Sequence, residues 1–273
     1  MQFSLVASGY GLVEGPTVAP DGGLFFSDVL GGGVYRADPD GSIETVVPKR
    51  RGVGGIALHA DGGLVLGGRD IVRVHDGATS PLFSIDGLPG WNDLCTDSRG
   101  RVYAGALRFA VFDRAAEPVP GECWRIDAPG VATTLYGDVV HANGIALSSD
   151  ERTIYHSDSR AQTIIVHTLT DGGTAIDRRD IDVRAYGTPD GMAVDENGAL
   201  WVALVTGGVG RFTPDGVLDR RIEPPSSFVT SVCLHGRDLY VTTADNTDDA
   251  GLRGCVFRIE VDVAGVPVHP ARI

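Results

Sequence analysis

The sequence of 273 residues predicts an all-β fold, a six-bladed β-propeller of four-stranded antiparallel blades. Three observations point there. The chain carries 38 Gly and 15 Pro spread evenly along its length, too many interruptions for the long periodic segments of a helical bundle. These residues follow no Gly-X-Y period and form no low-complexity tract, which argues against collagen and disorder. Most informative, six segments repeat one pattern of apolar residues, a polar turn usually carrying Asp and Gly, and an alternating strand.

The six segments read GPTVAPDGGLFFSD, GGIALHADGGLVLGG, NDLCTDSRGRVYAGA, NGIALSSDERTIYHSD, DGMAVDENGALWVAL and TSVCLHGRDLYVTT. Their turn positions are Gly23, Gly63, Gly100, Arg152, Gly198 and Arg237, at intervals of 40, 37, 52, 46 and 39 residues. The mean of about 43 residues is a propeller-blade length. In the first repeat, VEGPTVAP, GLFFSD, GVYRAD and IETVVP read as successive strands, with Asp21-Gly22 and Asp40-Gly41 as hairpin turns. One blade cannot bury both faces of its sheet; a ring of six buries them against each other. Helical repeats of similar period need amphipathic helices, which the chain lacks, and a barrel or sandwich gives no sixfold similarity. MQFSLVASGY is expected to supply the outer strand of the last blade, after GCVFRIEVDV, and so close the ring. One propeller domain over residues 1–273 is expected.

The net charge of −13 repels phosphate backbones, which argues against a nucleic-acid partner. There is no run of 18 apolar residues and no charged n-region of a signal peptide, so neither a membrane partner nor export is expected. Cys95, Cys123, Cys233 and Cys255 form no CxxC pair, which disfavours a zinc ribbon or a thioredoxin-like site. They read as small buried hydrophobes in a reducing cytosol. A cytoplasmic protein acting on a small molecule is expected, its oligomeric state left open.

The innermost strand of each blade lines the central channel, so residues at one phase of the repeat converge at one end of it. Eight or nine residues before the turn positions stand Glu14, Gly54 or Gly55, Asn92, Asn143 and Asp190; the sixth repeat places Thr230 and Ser231 there. Four of six blades thus present a carboxylate or carboxamide, in Glu14-Gly15, Asn92-Asp93, Asn143-Gly144 and Asp190-Gly191. Any one such pair is a common turn. Four in one phase form a ring of oxygens suited to a hard cation such as Ca²⁺. The set holds no Cys or His, which disfavours structural zinc. Glu14 and Asp190 balance the charge of a divalent ion.

The segments GLVEGPTVAPDGGLFFSD, WNDLCTDSRGRVYAGAL, HANGIALSSDERTIYHSDS and GTPDGMAVDENGALWVA resemble the senescence marker protein / gluconolactonase / luciferin-regenerating enzyme family over nearly the whole chain. The resemblance implies a six-bladed propeller with one catalytic divalent metal near the channel mouth. The metal is expected to be Ca²⁺, with Zn²⁺, Mn²⁺, Fe²⁺ or Mg²⁺ as alternatives. The family's ligands are the Glu of E-G-P, the Asn of A-N-G and the Asp of P-D-G, here Glu14, Asn143 and Asp190. The Asn of N-D, here Asn92, contacts substrate or adds a ligand. The implied reaction is hydrolysis of a lactone, the metal polarising the carbonyl and activating water, with Asp190 as general base. Asp93 is an alternative proton acceptor or a brace of its loop.

The chain departs from sugar lactonases of the family at two places. Gly90 stands where they commonly carry an Arg two residues before the N-D Asn. Arg108, Phe109 and Phe112 follow the third-blade strand where they often carry a carboxylate. A pocket bordered by Trp91, Phe109 and Phe112 would favour a less hydroxylated substrate, with Arg108 as polar contact and His141 approaching the channel. His156 with Ser149, Ser157 or Ser159 invites a hydrolase triad, but no G-x-S-x-G elbow supports one. AVFDRAAEPVPGECWRID, read as a connection between blades three and four, and VTTADNTDDAGLRGC in blade six are expected to cap the mouth. Two other functions remain open: a different reaction on the same metal (organophosphate hydrolysis, or a lyase or cyclisation step), and a non-enzymatic ligand-binding propeller.

Overall fold

The structure, a computed structural model, describes residues 2–245 and 252–273. Its 24 strands form six four-stranded sheets, each antiparallel between neighbours. Blade one is β2 Val13–Val18, β3 Leu24–Asp28, β4 Gly33–Ala37 and β5 Ile43–Pro48; blade two is β6 Ile56–Leu58, β7 Leu64–Leu66, β8 Ile71–His75 and β9 Ala78–Phe83. Blade three is β10 Gly90–Thr96, β11 Val102–Leu107, β12 Gly121–Ala128 and β13 Val131–Val139. Blade four is β14 Ala142–Leu147, β15 Thr153–Asp158, β16 Thr163–Leu169 and β17 Ala175–Asp182. Blade five is β18 Thr188–Val194, β19 Leu200–Val205, β20 Gly208–Phe212 and β21 Leu218–Ile222. Blade six joins β22 Val229–His235, β23 Asp238–Thr243 and β24 Val256–Glu260 to β1 Ser4–Ala7.

The chain ends therefore close the ring as expected: Ser4 pairs with Arg258, Leu5 with Phe257 and Ala7 with Val256. The hairpin turns explain the repeated Asp. Asp195 Oδ1 accepts the amides of Asn197 and Ala199, and Asp97 Oδ1 those of Arg99 and Arg101. Gly198 and Gly100 then supply the positive φ that the turn needs.

Apolar faces meet at blade interfaces. Ala57, Val65 and Ile71 of blade two pack on Trp91, Val102 and Ile126 of blade three. Comparable clusters stand between blades four and five and between five and six. At the axis, the backbones approach too closely for side chains. A Cβ on Gly144 would lie 2.3 Å from the Asp190 carbonyl oxygen and 2.7 Å from the Gly191 Cα. Gly144→Ala should therefore destabilise the protein by about 3 kcal/mol, read by thermal melting. Gly172→Ala, with nothing nearer than the Thr170 Oγ1 at 3.8 Å, is the control expected to leave the melting temperature near wild type.

A cavity of about 180 Å³ fills the lower channel, walled by Pro16, Ile56, Leu94, Ile145 and Met192. The last residues of the chain floor it, a role the sequence pattern does not announce. The Val266 amide donates to the Val194 carbonyl, the Thr96 hydroxyl to the His269 carbonyl, and the Ala271 amide to the Leu58 carbonyl. Among the described residues, no helix is long and apolar enough to cross a membrane.

One expectation is corrected. The stretch 108–120 lies inside blade three, linking β11 to β12, which pair in register from Val102–Ile126 to Gly105–Cys123. The 52-residue interval announced an insertion; its place among the four strands was not visible.

Candidate active site

The four oxygen-bearing residues stand where the inner strands break register. In β10 the pairing shifts between Trp91 and Leu94, in β14 between Ala142 and Ile145, in β18 between Pro189 and Met192, and in β2 between Glu14 and Thr17. Each shift is a β-bulge: Asn92-Asp93, Asn143-Gly144 and Asp190-Gly191 each face one residue of the partner strand. Such bulges re-aim side chains. Because the phase repeats, they bring Glu14, Asn92, Asn143 and Asp190 together at the start of the inner strands.

Hydrogen bonds lock the arrangement. The Asn92 amide group donates to the Ala142 carbonyl at 2.9 Å and to Asn143 Oδ1 at 3.2 Å. Asn143 Nδ2 donates to Ser159 Oγ at 3.1 Å, and Ser159 Oγ to the Pro189 carbonyl at 2.7 Å. Ser157 Oγ donates to the Asp190 carbonyl at 2.8 Å. Ser27, at the same place in blade one, donates to the Val53 carbonyl of the next blade at 2.5 Å. The following Asp organises the strand entry: Asp28 accepts amides of Gly11 and Leu12, and Asp158 those of Val140 and His141. Sequence reasoning missed this bracing, although Ser-Asp ends the second strand in both FFSD and YHSD.

Glu14, Asn143 and Asp190 are buried. Burial pushes the Glu14 carboxyl well above its ordinary range, and the charges of Asp190 and Asp93 add to the rise. Asp190 is raised by burial and then by Asp93, against donation from the Gly191 amide and Asn143. Its Oδ1 is buried with no hydrogen-bond partner. Asp93 lines the channel wall yet sits deep enough that burial raises it to about 7. It accepts the Leu94 amide at 2.8 Å, a bracing contact. Crowded carboxylates with an orphaned oxygen and only oxygen donors around them fit a hard cation. Among the described residues no three His, Cys, Asp or Glu side chains form a metal cluster; the candidate set draws half its donors from Asn.

The structure corrects other site expectations. Trp91 is 1 % exposed and packs with Phe83 and Trp124 in the core between blades two and three. The bulge after it turns the strand over, so Asn92 faces the channel and Trp91 does not. Phe112 is on the surface, 64 % exposed. Arg108 is held by Glu122, Nε and Nη2 both donating to its carboxylate at 2.9–3.1 Å, so its charge is already balanced. Phe109 meets His141 edge to face at 6.1 Å, and His141 stands immediately before Ala142 and Asn143 in the chain. Burial lowers the His141 pKa. Within the blade-six loop, residues 246–251 lie outside the described residues.

No triad forms. His156 is fully buried, and its Nδ1 pairs with the Tyr136 hydroxyl at 3.2 Å while Ser157 is spent on Asp190. Burial lowers the His156 pKa to about 4, helped by His167 and Arg178 and opposed by Asp158. The fold therefore favours neutral His156. Its contribution is fully present above pH ~6.5 and is lost as pH falls toward 4, about 3 kcal/mol by linkage. His156→Gln should flatten that part of the acid-side stability profile in denaturant melts; an unchanged slope contradicts it.

Comparison with known proteins agrees with this architecture. The profile of the SMP-30/Gluconolactonase/LRE-like region matches residues 12–245. The chain is 33% identical over 265 residues to a 6-deoxy-6-sulfogluconolactonase of Pseudomonas putida, covering 89% of this chain and 88% of that one. It is 30% identical over 280 residues to a pentonolactonase of Haloferax volcanii, covering 94% and 93%. The solved structure of a luciferin-regenerating enzyme superposes with a TM-score of 0.88 at 22% identity, covering 100% of this chain and 99% of that one. The repeat, the ring and the profile agree: the chain belongs to the SMP-30/gluconolactonase/LRE-like family.

Proposed function

We propose that the chain is a divalent-metal-dependent hydrolase of a lactone or related cyclic ester. The observation that carries this is the crowding of Glu14 and Asp190 in a buried ring of oxygens, with Asp190 Oδ1 left unpartnered. Lactonase relatives at 33% and 30% identity support the substrate class.

Glu14, Asn143 and Asp190 would hold the cation, with Asn92 as a further ligand or a substrate contact. The all-oxygen set with two carboxylates suits Ca²⁺ best. A divalent cation, when bound, supplies Lewis-acid polarisation of the ester carbonyl and lowers the pKa of water. Asp190 would take the proton released as water adds to the carbonyl and return it to the ring oxygen as the acyl C–O bond breaks, leaving the open-chain hydroxy acid. Asp93 braces β10 and stays near enough to tune that carboxylate. Phe109 and His141 form one wall of the substrate site, His141 acting as a neutral hydrogen-bonding group. Gly90 stands where sugar lactonases commonly carry an Arg, so a less hydroxylated ring is the expected preference.

The test is a lactone panel assayed before and after chelation. Chelated protein should lose roughly 10²-fold or more in kcat/KM, and Ca²⁺ should restore it more fully than Mg²⁺, Mn²⁺, Zn²⁺ or Fe²⁺. In H₂¹⁸O the product acid should carry label. Activity that survives chelation contradicts the metal role, and unlabelled product contradicts hydrolysis.

A further inference from the structure

We propose that Ser159 is a positioning residue of this site: its hydroxyl fixes which atom of the Asn143 carboxamide faces the cation. The inference rests on the cation-site reading of Glu14, Asn92, Asn143 and Asp190 and deepens it.

A serine hydroxyl has one hydrogen and two lone pairs. Ser159 places its hydrogen on the Pro189 carbonyl at 2.7 Å, an oxygen that can only accept. Toward Asn143 the hydroxyl can therefore only accept, so Asn143 must present Nδ2 to it, at 3.1 Å. On the other side stands Asn92 Nδ2, a donor, 3.2 Å from Asn143 Oδ1. Turning the carboxamide over would set Nδ2 against Nδ2 and Oδ1 against a hydroxyl with no hydrogen to offer. Both neighbours, together with the Asp190 carboxylate that also accepts from Asn143, select one orientation, in which Asn143 Oδ1 turns toward Asn92 and keeps a lone pair for a cation.

The same hydroxyl joins blade four to blade five. Pro189 directly precedes Asp190, so the bond sets the carboxamide ligand and the strand carrying the carboxylate ligand in one frame. Ser157, two residues earlier, binds the Asp190 carbonyl from the same side. Neither serine contacts an imidazole in a nucleophile–base pair, so positioning is the use the geometry leaves for Ser159. Outer partners of this kind typically change metal affinity 10–100-fold.

The experiment compares metal-stripped wild type with Ser159→Ala, Ser159→Cys and Ser159→Thr. Calorimetric Ca²⁺ titration should show Ser159→Ala and Ser159→Cys weakened about 10–100-fold. Ser159→Thr, which keeps the hydroxyl, should stay within a few-fold of wild type. Metal-free melting temperatures should separate the variants far less than the affinities do. Wild-type affinity in Ser159→Ala, or a loss in Ser159→Thr as large as in Ser159→Ala, overturns the proposal. Should wild type itself bind no Ca²⁺, the cation reading fails, and crystal structures of the metal-free proteins then decide the positioning role. An Asn143 carboxamide turned away from Asn92 in Ser159→Ala upholds it, and an unmoved one overturns it.

Discussion

A Glu14→Gln/Asp190→Asn double variant is expected to lose about 10³-fold or more in lactone kcat/KM, yet to be more stable than wild type without metal. Both carboxyls are buried, and Glu14 is raised further by the charge of Asp190. A carboxyl whose folded pKa is raised contributes stability below its ordinary range and loses it as pH rises through the raised value. As pH rises above the ordinary carboxyl range, the metal-free wild type therefore loses stability that the amide variant, with nothing to titrate there, keeps. Melting curves with chelator should place the variant above wild type at pH 8, the gap narrowing toward pH 4. Added Ca²⁺ should raise wild type and leave the variant unmoved. A variant that keeps wild-type turnover contradicts the mechanism. One that melts lower at every pH shows that the two carboxylates are structural anchors.

Deletion of residues 1–9 is expected to destabilise the protein by about 3–5 kcal/mol, a fall in melting temperature of roughly 10 °C or more. The deletion removes β1, which blade six draws from the opposite chain end. It also removes Phe3, which packs edge to face on Phe257 at 6.1 Å, and Ala7, buried beside Val13 and Val256. β24 would then present an unpaired edge to other molecules, so concentration-dependent aggregation should accompany the loss. An unchanged melting temperature would contradict closure by the amino-terminal strand.

The fold was legible because a propeller writes its architecture as a period. Turns with Asp and Gly recur because such a hairpin uses an Asx contact and a positive φ, as at Asp97-Gly100 and Asp195-Gly198. The grouping of Glu14, Asn92, Asn143 and Asp190 was legible for the same reason: equal phase means one level on the channel. What lay hidden was set by departures from regular alternation. A residue beside a bulge faces the side opposite to simple counting, so Trp91 went to the core. Ser159 and Ser157 act across a blade boundary, on Pro189 and Asp190, 30 and 33 residues away, a pairing no local pattern encodes. Arg108 reads as a free cation until Glu122, on the next strand, is placed against it.

In the proposed function, the inner-strand oxygens hold one divalent cation. Elemental analysis joined to calorimetric Ca²⁺ titration of the stripped protein tests it most directly. One equivalent is expected to bind wild type and none Glu14→Gln/Asp190→Asn at the same concentrations. A wild-type protein that purifies without metal and gives no binding heat, or a double variant that still binds one equivalent, would contradict it.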